Sequence, residues 1–304
     1  MKWLSALFVV LVLVLVGIYY IIDPEKNELN EAVRAGLGGT YIKLSDGMTH
    51  YKLEGPDNGK VVVLVHGGTV PIWTWDKQVQ ALNRAGFRTL SYDKYGRGYS
   101  DRPDVVYDQE LYKKQLLELV DKLALTEPFD VVGLSLGGGT AVNFTARYPE
   151  RVRKLVLISP LINNFKVPAF FHIPVFGEFI ARIAGVRVIV DRFISLFENN
   201  PDSEKYTRLF VEQTTYKGFQ RSILSMLRDD AVGDYRNAYR TVGNQERDIL
   251  LIWGTADTEI TQEMISSIRS LMPHLTFRPF EGAGHGIVFQ EPDTVNNVIL
   301  GFLS

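Results

Sequence analysis

Val131-Val132-Gly133-Leu134-Ser135-Leu136-Gly137-Gly138 is the stretch on which the architecture turns. Gly133, Ser135 and Gly137 fill the pattern G-x-S-x-G, and the pattern falls between an apolar β-type run and a helical one, the context in which it carries chemistry. A chain that turns so sharply strains the serine backbone, and only small residues two places before and after let its two arms pass. Gly133, Gly137 and Gly138 meet that need. Ser135 is thereby presented as a candidate nucleophile, with a helix amino terminus beneath it and the Leu136 N–H aimed at a developing oxyanion. The competing reading, a glycine-rich turn with an incidental serine, is disfavoured by the strand and helix on either side.

Outward from this turn, strands and amphipathic helices alternate. Toward the amino end lie a strand at 130–134, a helix at 109–123, a strand at 88–92 and a helix at 75–85. Before them, 61–65 is a continuous apolar β-branched run, the mark of a strand buried on both faces. Strands at 41–44 and 49–53 flank the turn Ser45-Asp46-Gly47. Toward the carboxyl end come a helix at 138–147, a strand at 154–159, a strand at 249–253, a helix at 262–271, a strand at 275–278 and a helix at 293–303. This order predicts an α/β domain over 41–304, built on a mostly parallel eight-stranded sheet with helices on both faces. The alternation stops between Pro160 and Arg247. Helical periodicity and many aromatics there predict an inserted helical cap at about 160–247, with 186–190 ambiguous between strand and helix.

His66-Gly67-Gly68-Thr69 directly follows the buried run at 61–65, and such a turn places a backbone N–H over the sheet edge. Gly68 is the expected second oxyanion donor, with His66 fixing the turn. A serine hydroxyl is a weak nucleophile and needs a base within hydrogen-bond reach. Of the five histidines, His50 lies in an early strand, His66 in this turn, His172 in the cap and His274 in a loop before a strand. His285 sits in Glu281-Gly282-Ala283-Gly284-His285-Gly286, a glycine-flanked loop able to bring its imidazole over Ser135, and is the expected base. The acid that orients it should be buried and should follow a strand. Asp257 does so and keeps the order Ser, Asp, His. Glu259 is its nearest competitor, while Asp248 precedes the strand and points to the wrong edge. No cofactor and no metal is expected.

In combination these motifs resemble the serine branch of the α/β-hydrolase superfamily with a helical cap, over nearly everything from Tyr41 to Ser304. The segment Tyr92-Asp93-Lys94-Tyr95-Gly96-Arg97-Gly98-Tyr99-Ser100-Asp101-Arg102-Pro103 resembles that family's loop after its fourth strand, and Arg151-Val152-Arg153-Lys154-Leu155-Val156-Leu157-Ile158 its sixth strand. The resemblance implies that Asp93, Arg97 and Asp101 brace the oxyanion turn and do not react. Dehalogenases and epoxide hydrolases resemble this chain with Asp at the nucleophile position; Ser135 removes both.

The chain has 304 residues, 46% of them hydrophobic and 22% charged, which supplies a large core. A net charge of -2 with scattered Lys and Arg excludes a nucleic-acid footprint. The absence of cysteine removes disulfides, thiolate catalysis and zinc-thiolate sites. From Trp3 to Ile22 no residue is charged. The run at 1–22 reads as a single-pass membrane anchor, since a signal peptide would carry a shorter apolar region and small residues where Tyr19 and Tyr20 stand. One lysine before the run and acidic residues after it place the globular part on the non-cytoplasmic side. Residues 23–40 read as a linker and short helix leading away from the bilayer.

Phe165, Phe170, Phe171, Phe176, Phe179, Phe193 and Phe197 in the cap favour an apolar acyl pocket. With the anchor, they indicate a small-molecule or lipid ester substrate such as a monoacylglycerol, in a layout that resembles membrane-anchored monoacylglycerol lipases. Carbon–carbon bond hydrolysis of a dienol ketone and cofactor-free haloperoxidase chemistry use the same three side chains and stand as the alternative. A non-enzymatic receptor or scaffold on the same fold is disfavoured by the complete set.

Overall fold

The computed structural model describes residues 2–163, 167–196 and 200–304. Eight strands form one sheet: β1 (Thr40–Lys43), β2 (Met48–Glu54), β3 (Val61–Val65), β4 (Arg88–Tyr92), β5 (Phe129–Leu134), β6 (Val152–Ile158), β7 (Ile249–Gly254) and β8 (Thr276–Phe280). Their order is β1-β2-β4-β3-β5-β6-β7-β8. The β1–β2 and β2–β4 pairs are antiparallel, and every later pair is parallel.

The β-branched and leucine-rich strands sit centrally because both of their faces are covered. In β3, Val63 and Val65 point into one core layer and Val62 and Leu64 into the other. The first layer receives α4 (Gln109–Lys122), α5 (Leu136–Arg147), α10 (Arg236–Gly243) and α11 (Gln262–Leu271). The second receives α3 (Asp76–Arg84), α12 (Ile287–Gln290) and α13 (Pro292–Leu303). Helix α5 begins at Leu136, two residues earlier than its sequence indicates. Three consecutive glycines weaken a helix in isolation, but here they let α5 pack tightly against the strand ends, and packing overrides propensity.

Among the described residues between β6 and β7, the regular elements are helices. They include α6 (Phe176–Ile180), α7 (Val186–Ser195), α8 (Ser203–Thr214) and α9 (Phe219–Arg228) before α10 returns to the sheet. The ambiguous run at 186–190 is the first half of α7. It cannot enter the sheet between β6 and β7, because those two strands pair directly.

The amino-terminal segment departs from expectation. Lys2–Ile21 forms α1, but among the described residues no helix is long and apolar enough to cross a membrane. The physical reason lies at its carboxyl end, which is tied to the insertion. Tyr19 stacks on Phe179 with ring centroids 6.3 Å apart, the Arg182 guanidinium lies 4.0 Å from the Tyr19 ring centre, and Arg182 Nη1 pairs with Asp23 at 2.7 Å. The run before Tyr19 covers roughly 24 Å at 1.5 Å per residue, short of a hydrocarbon core of roughly 30 Å. The single-pass anchor, the bilayer as partner and the assignment of a membrane side are therefore withdrawn together.

The segment after α1 does not lead away from the domain either. Asn27 N donates to Thr215 O at 3.0 Å and Lys217 N to Asn27 O at 2.9 Å. The Glu25 carboxylate accepts from the backbone N–H groups of Gly218 (2.8 Å) and Gln220 (2.5 Å) at the start of α9. It thereby satisfies donors that a helix amino terminus leaves unpaired. Helix α2 (Glu31–Leu37) follows, capped by Asn30 Oδ1, which accepts from Val33 N at 3.0 Å.

Candidate active site

Ser135 stands between β5 and α5 with φ 54° and ψ -123°. Such a conformation is costly for a residue with a side chain and persists only when its surroundings impose it. They do so here from two directions. Ser135 N donates to Ile158 O at 3.0 Å and Leu161 N to Ser135 O at 2.9 Å, so the turn is pinned to the end of β6. A Cβ on Gly133 would lie 2.5 Å from Gly137 O, and one on Gly137 would run into the Val65 and His66 carbonyls.

The turn after β3 faces this elbow. His66 is fully buried; its Nε2 accepts from Lys94 N at 2.9 Å, which leaves Nδ1 to donate to Gly67 O at 2.8 Å. That bond fixes the peptide plane whose other end is the Gly68 N–H, since a trans peptide points its N–H away from its C=O. Burial first, and then the charge of Lys94, push the His66 imidazole down to about 3, so it stays neutral as this bonding requires. On the next peptide, Gly68 O accepts from Arg97 Nε at 2.5 Å. Asp93 accepts from His50 Nδ1 (2.7 Å), Ile72 N (2.7 Å) and Tyr99 N (2.9 Å), tying the turn to β2 and to the loop after β4. Asp101 lies further off, bonded to Met48 N and paired with Arg34.

His285 lies between β8 and α12, and Asp257 in the loop after β7. Their side chains meet, Nδ1 to Oδ2, at 2.8 Å. The other Asp257 oxygen accepts from Glu259 N (2.8 Å) and Ile260 N (2.9 Å). Burial pushes the Asp257 carboxyl up, but the His285 bond and charge, with the two N–H groups, outweigh it and hold the group below its ordinary value. Burial pulls the His285 imidazole down; the Asp257 bond and the charges of Glu259 and Asp257 outweigh it, against Arg192, and the net shift is upward. Glu259 does not compete with Asp257 for Nδ1. Its Oε2 faces Nε2 at 3.3 Å.

A cavity of about 90 Å³ opens here, lined by Ser135, Leu136, Gly68, His285, Glu259 and Arg192. Asp257 stands behind His285, His172 and His274 lie elsewhere, and the described residues include no His–Asp–Glu group placed to hold a metal ion. Arg192 has no signal in the sequence: it is one of several charged residues on an amphipathic helix, and only the fold turns it toward the pocket. A second cavity of about 400 Å³ lies inside the insertion and shares Arg192 and Leu227 with the first. Of the phenylalanines expected to line an acyl pocket, Phe170 and Phe171 line this second cavity, Phe193 packs in the second core layer, Phe179 packs on Tyr19, and Phe176 is exposed. Phe165 and Phe197 lie outside the described residues.

A mostly parallel sheet, a serine strained at the end of a central strand and a His–Asp pair sharing that edge define the α/β class to which the chain belongs. The chain belongs to the Alpha/beta hydrolase family, whose sequence profile matches residues 62–298. It is 26% identical over 277 residues to the non-heme chloroperoxidase of Streptomyces lividans, covering 86% of this chain and 98% of that one. It is 28% identical over 269 residues to carboxylesterase YbfK of Bacillus subtilis (strain 168), covering 86% of each. It is 25% identical over 221 residues to the 2-hydroxymuconate semialdehyde hydrolase of Pseudomonas putida, covering 71% of this chain and 77% of that one.

Proposed function

We propose that the protein hydrolyses carboxylic esters with lipophilic acyl groups, monoacylglycerols among them, through an acyl-enzyme on Ser135. The observation that carries this reading is the His285–Asp257 pair, 2.8 Å apart, with His285 in the same pocket as the strained Ser135. In this reading His285 Nε2 takes the hydroxyl proton as Ser135 Oγ attacks the ester carbonyl carbon. Asp257 holds the Nδ1–H tautomer and stabilises the imidazolium. The Gly68 and Leu136 N–H groups receive the negative charge on the carbonyl oxygen. The imidazolium then gives its proton to the departing alcohol, and a water molecule repeats the sequence on the acyl-enzyme to release the acid.

Ester chemistry is supported by the carboxylesterase relative, and a lipophilic acyl group by the apolar cavity that adjoins the catalytic one. A fluorophosphonate should label the wild-type protein at Ser135 and leave Ser135→Ala unlabelled. That variant should lose turnover of a p-nitrophenyl ester by roughly 10³-fold or more. Labelling that persists at another serine would remove the assignment.

The chloroperoxidase and 2-hydroxymuconate semialdehyde hydrolase relatives favour a second reading, in which the same three side chains serve halide oxidation or carbon–carbon bond hydrolysis. Rapid turnover of simple p-nitrophenyl esters selects the first reading. Slow ester turnover, beside peroxide-dependent halogenation or rapid cleavage of a dienol ketone, selects the second.

A further inference from the structure

The proposed reaction uses one carboxylate of the loop after β7 and leaves another unused. Glu259 reaches the opposite end of the imidazole from Asp257, with Oε2 3.3 Å from His285 Nε2. That nitrogen is the one that must receive the Ser135 proton. Among the described residues no hydrogen bond joins His285 Nε2 to Ser135 Oγ, and the 3.3 Å contact of Nε2 with Glu259 is an ion-pair approach. Glu259 is itself held by Arg192 of α7: the guanidinium Nε donates to Oε1 at 2.8 Å and a second nitrogen pairs with Oε2. Helix α7 belongs to the insertion and Glu259 to the edge of the sheet, so this ion pair bridges the two across the catalytic cavity. The chain just past α7 also touches the His285 loop, where a Cβ on Gly286 would lie 2.7 Å from Leu196 O.

We propose that Glu259 is a positioning residue that competes with Ser135 for His285 Nε2, and that Arg192 limits the competition by holding the Glu259 carboxylate to the insertion. The proposal rests on the Ser135–His285 reading above. An imidazole bonded to one carboxylate at Nδ1 and facing a second at Nε2 is favoured in its doubly protonated form, which cannot take a proton from Ser135. When Arg192 draws Glu259 away, Nε2 is released toward the serine. Among the described residues, the charged groups facing His285 are Asp257 and Glu259 from the loop after β7 and Arg192 from α7. The elbow, the glycine turn and α9 contribute Ser135, Leu136, Gly68, Met226 and Leu227, none of them charged. The upward shift of His285 has Glu259 among its causes and Arg192 as its opponent.

The test uses the full chain with labelled histidine. The ring nitrogens of His285 are assigned by their loss in His285→Ala and titrated by NMR, beside the pH profile of kcat/KM on a short p-nitrophenyl ester. Glu259→Gln should lower the His285 pKa and the acid limb by roughly one unit, the ordinary effect of removing a charge at this separation. Arg192→Gln should raise both, and should raise them less in the Glu259→Gln background. Arg192→Lys, which keeps the charge, should titrate close to the wild type and controls for a displaced insertion. An unmoved titration in Glu259→Gln overturns the proposal, as does an equal rise from Arg192→Gln in both backgrounds. The NMR titration needs no turnover. Loss of the fluorophosphonate assignment would remove the ester reading and, with it, the competition for Nε2, whereas an unmoved titration beside intact labelling would remove this proposal alone.

Discussion

At Ser135 the backbone is strained so that a hydroxyl stands clear of both the strand and the helix, and the residues around it leave no room to relax. Gly137 shows how tight the fit is, because any Cβ there meets the Val65 and His66 backbone, which cannot rotate away. Gly137→Ala should therefore lower stability in urea by about 3 kcal/mol, at the upper end for overpacking, and should lower soluble yield. An alanine variant as stable as the wild type would show that the turn is looser than its geometry. For the proposed reaction, Asp257→Asn should keep the fold and reduce kcat by roughly 10⁴-fold, because the imidazole tautomer is then wrong. The base must be neutral to accept a proton, and the net effect on His285 is to raise its pKa above 6.5. Activity should therefore fall as the pH drops through that raised value, placing the acid limb of kcat/KM above the ordinary imidazole range. A limb at or below pH 6.5 would contradict it. Ser135, Asp257 and His285 are legible in the sequence because each is set by a strand end and by neighbouring glycines. The place of Glu259 is not, because which end of an imidazole a nearby carboxylate reaches depends on two loops that only the fold brings together.

Among the elements, the central strands and the sheet-covering helices are legible because burial on both faces demands an unbroken apolar run. The 61–65 strand and the 262–271 helix fall where their patterns place them. Elements whose place depends on a distant partner are not. Helix α12 has only four residues, too few for a period, and 186–190 reads equally as strand or helix until the fold shows it as the first half of α7. The polar segment after α1 carries no apolar signal at all, yet Glu25 accepts two N–H groups at the start of α9. A side chain from outside the helix thus does what a capping residue does within it. Glu25→Ala should cost about 1 kcal/mol, the usual cost of a lost amino-terminal cap, seen as a lower urea midpoint at unchanged slope. Limited proteolysis should cut faster around residues 23–30 in the variant. Equal cutting rates and equal midpoints would show that the contact contributes nothing.

Across the whole molecule, the two core layers hold the sheet rigid while the insertion rests over the carboxyl ends of its strands, and the two cavities lie where these parts meet. The cavity beside Ser135, of about 90 Å³, has room for little beyond a single reacting group. The adjoining one of about 400 Å³ is walled mainly by apolar side chains, Phe170, Phe171, Ala181, Ile189, Phe219 and Leu224 among them, with Gln220 and Arg192 as its polar members. An acyl chain whose carbonyl sits at Ser135 can extend past Leu227 and Arg192 into this space, each methylene gaining about 0.8 kcal/mol on leaving water. Ala181→Trp places a large ring in the cavity while lying away from the catalytic residues. If the ring excludes four methylenes, about 3 kcal/mol of binding is lost, which is roughly a hundredfold in kcat/KM for a dodecanoyl ester. A p-nitrophenyl acetate, too short to leave the catalytic cavity, should be turned over at close to the wild-type rate. The quantity to measure is therefore the ratio of the two kcat/KM values, which cancels differences in active fraction between preparations. A hundredfold fall in that ratio assigns the cavity to the acyl chain. An unchanged ratio removes the assignment, and an equal loss on both esters shows instead that the insertion has shifted over Ser135.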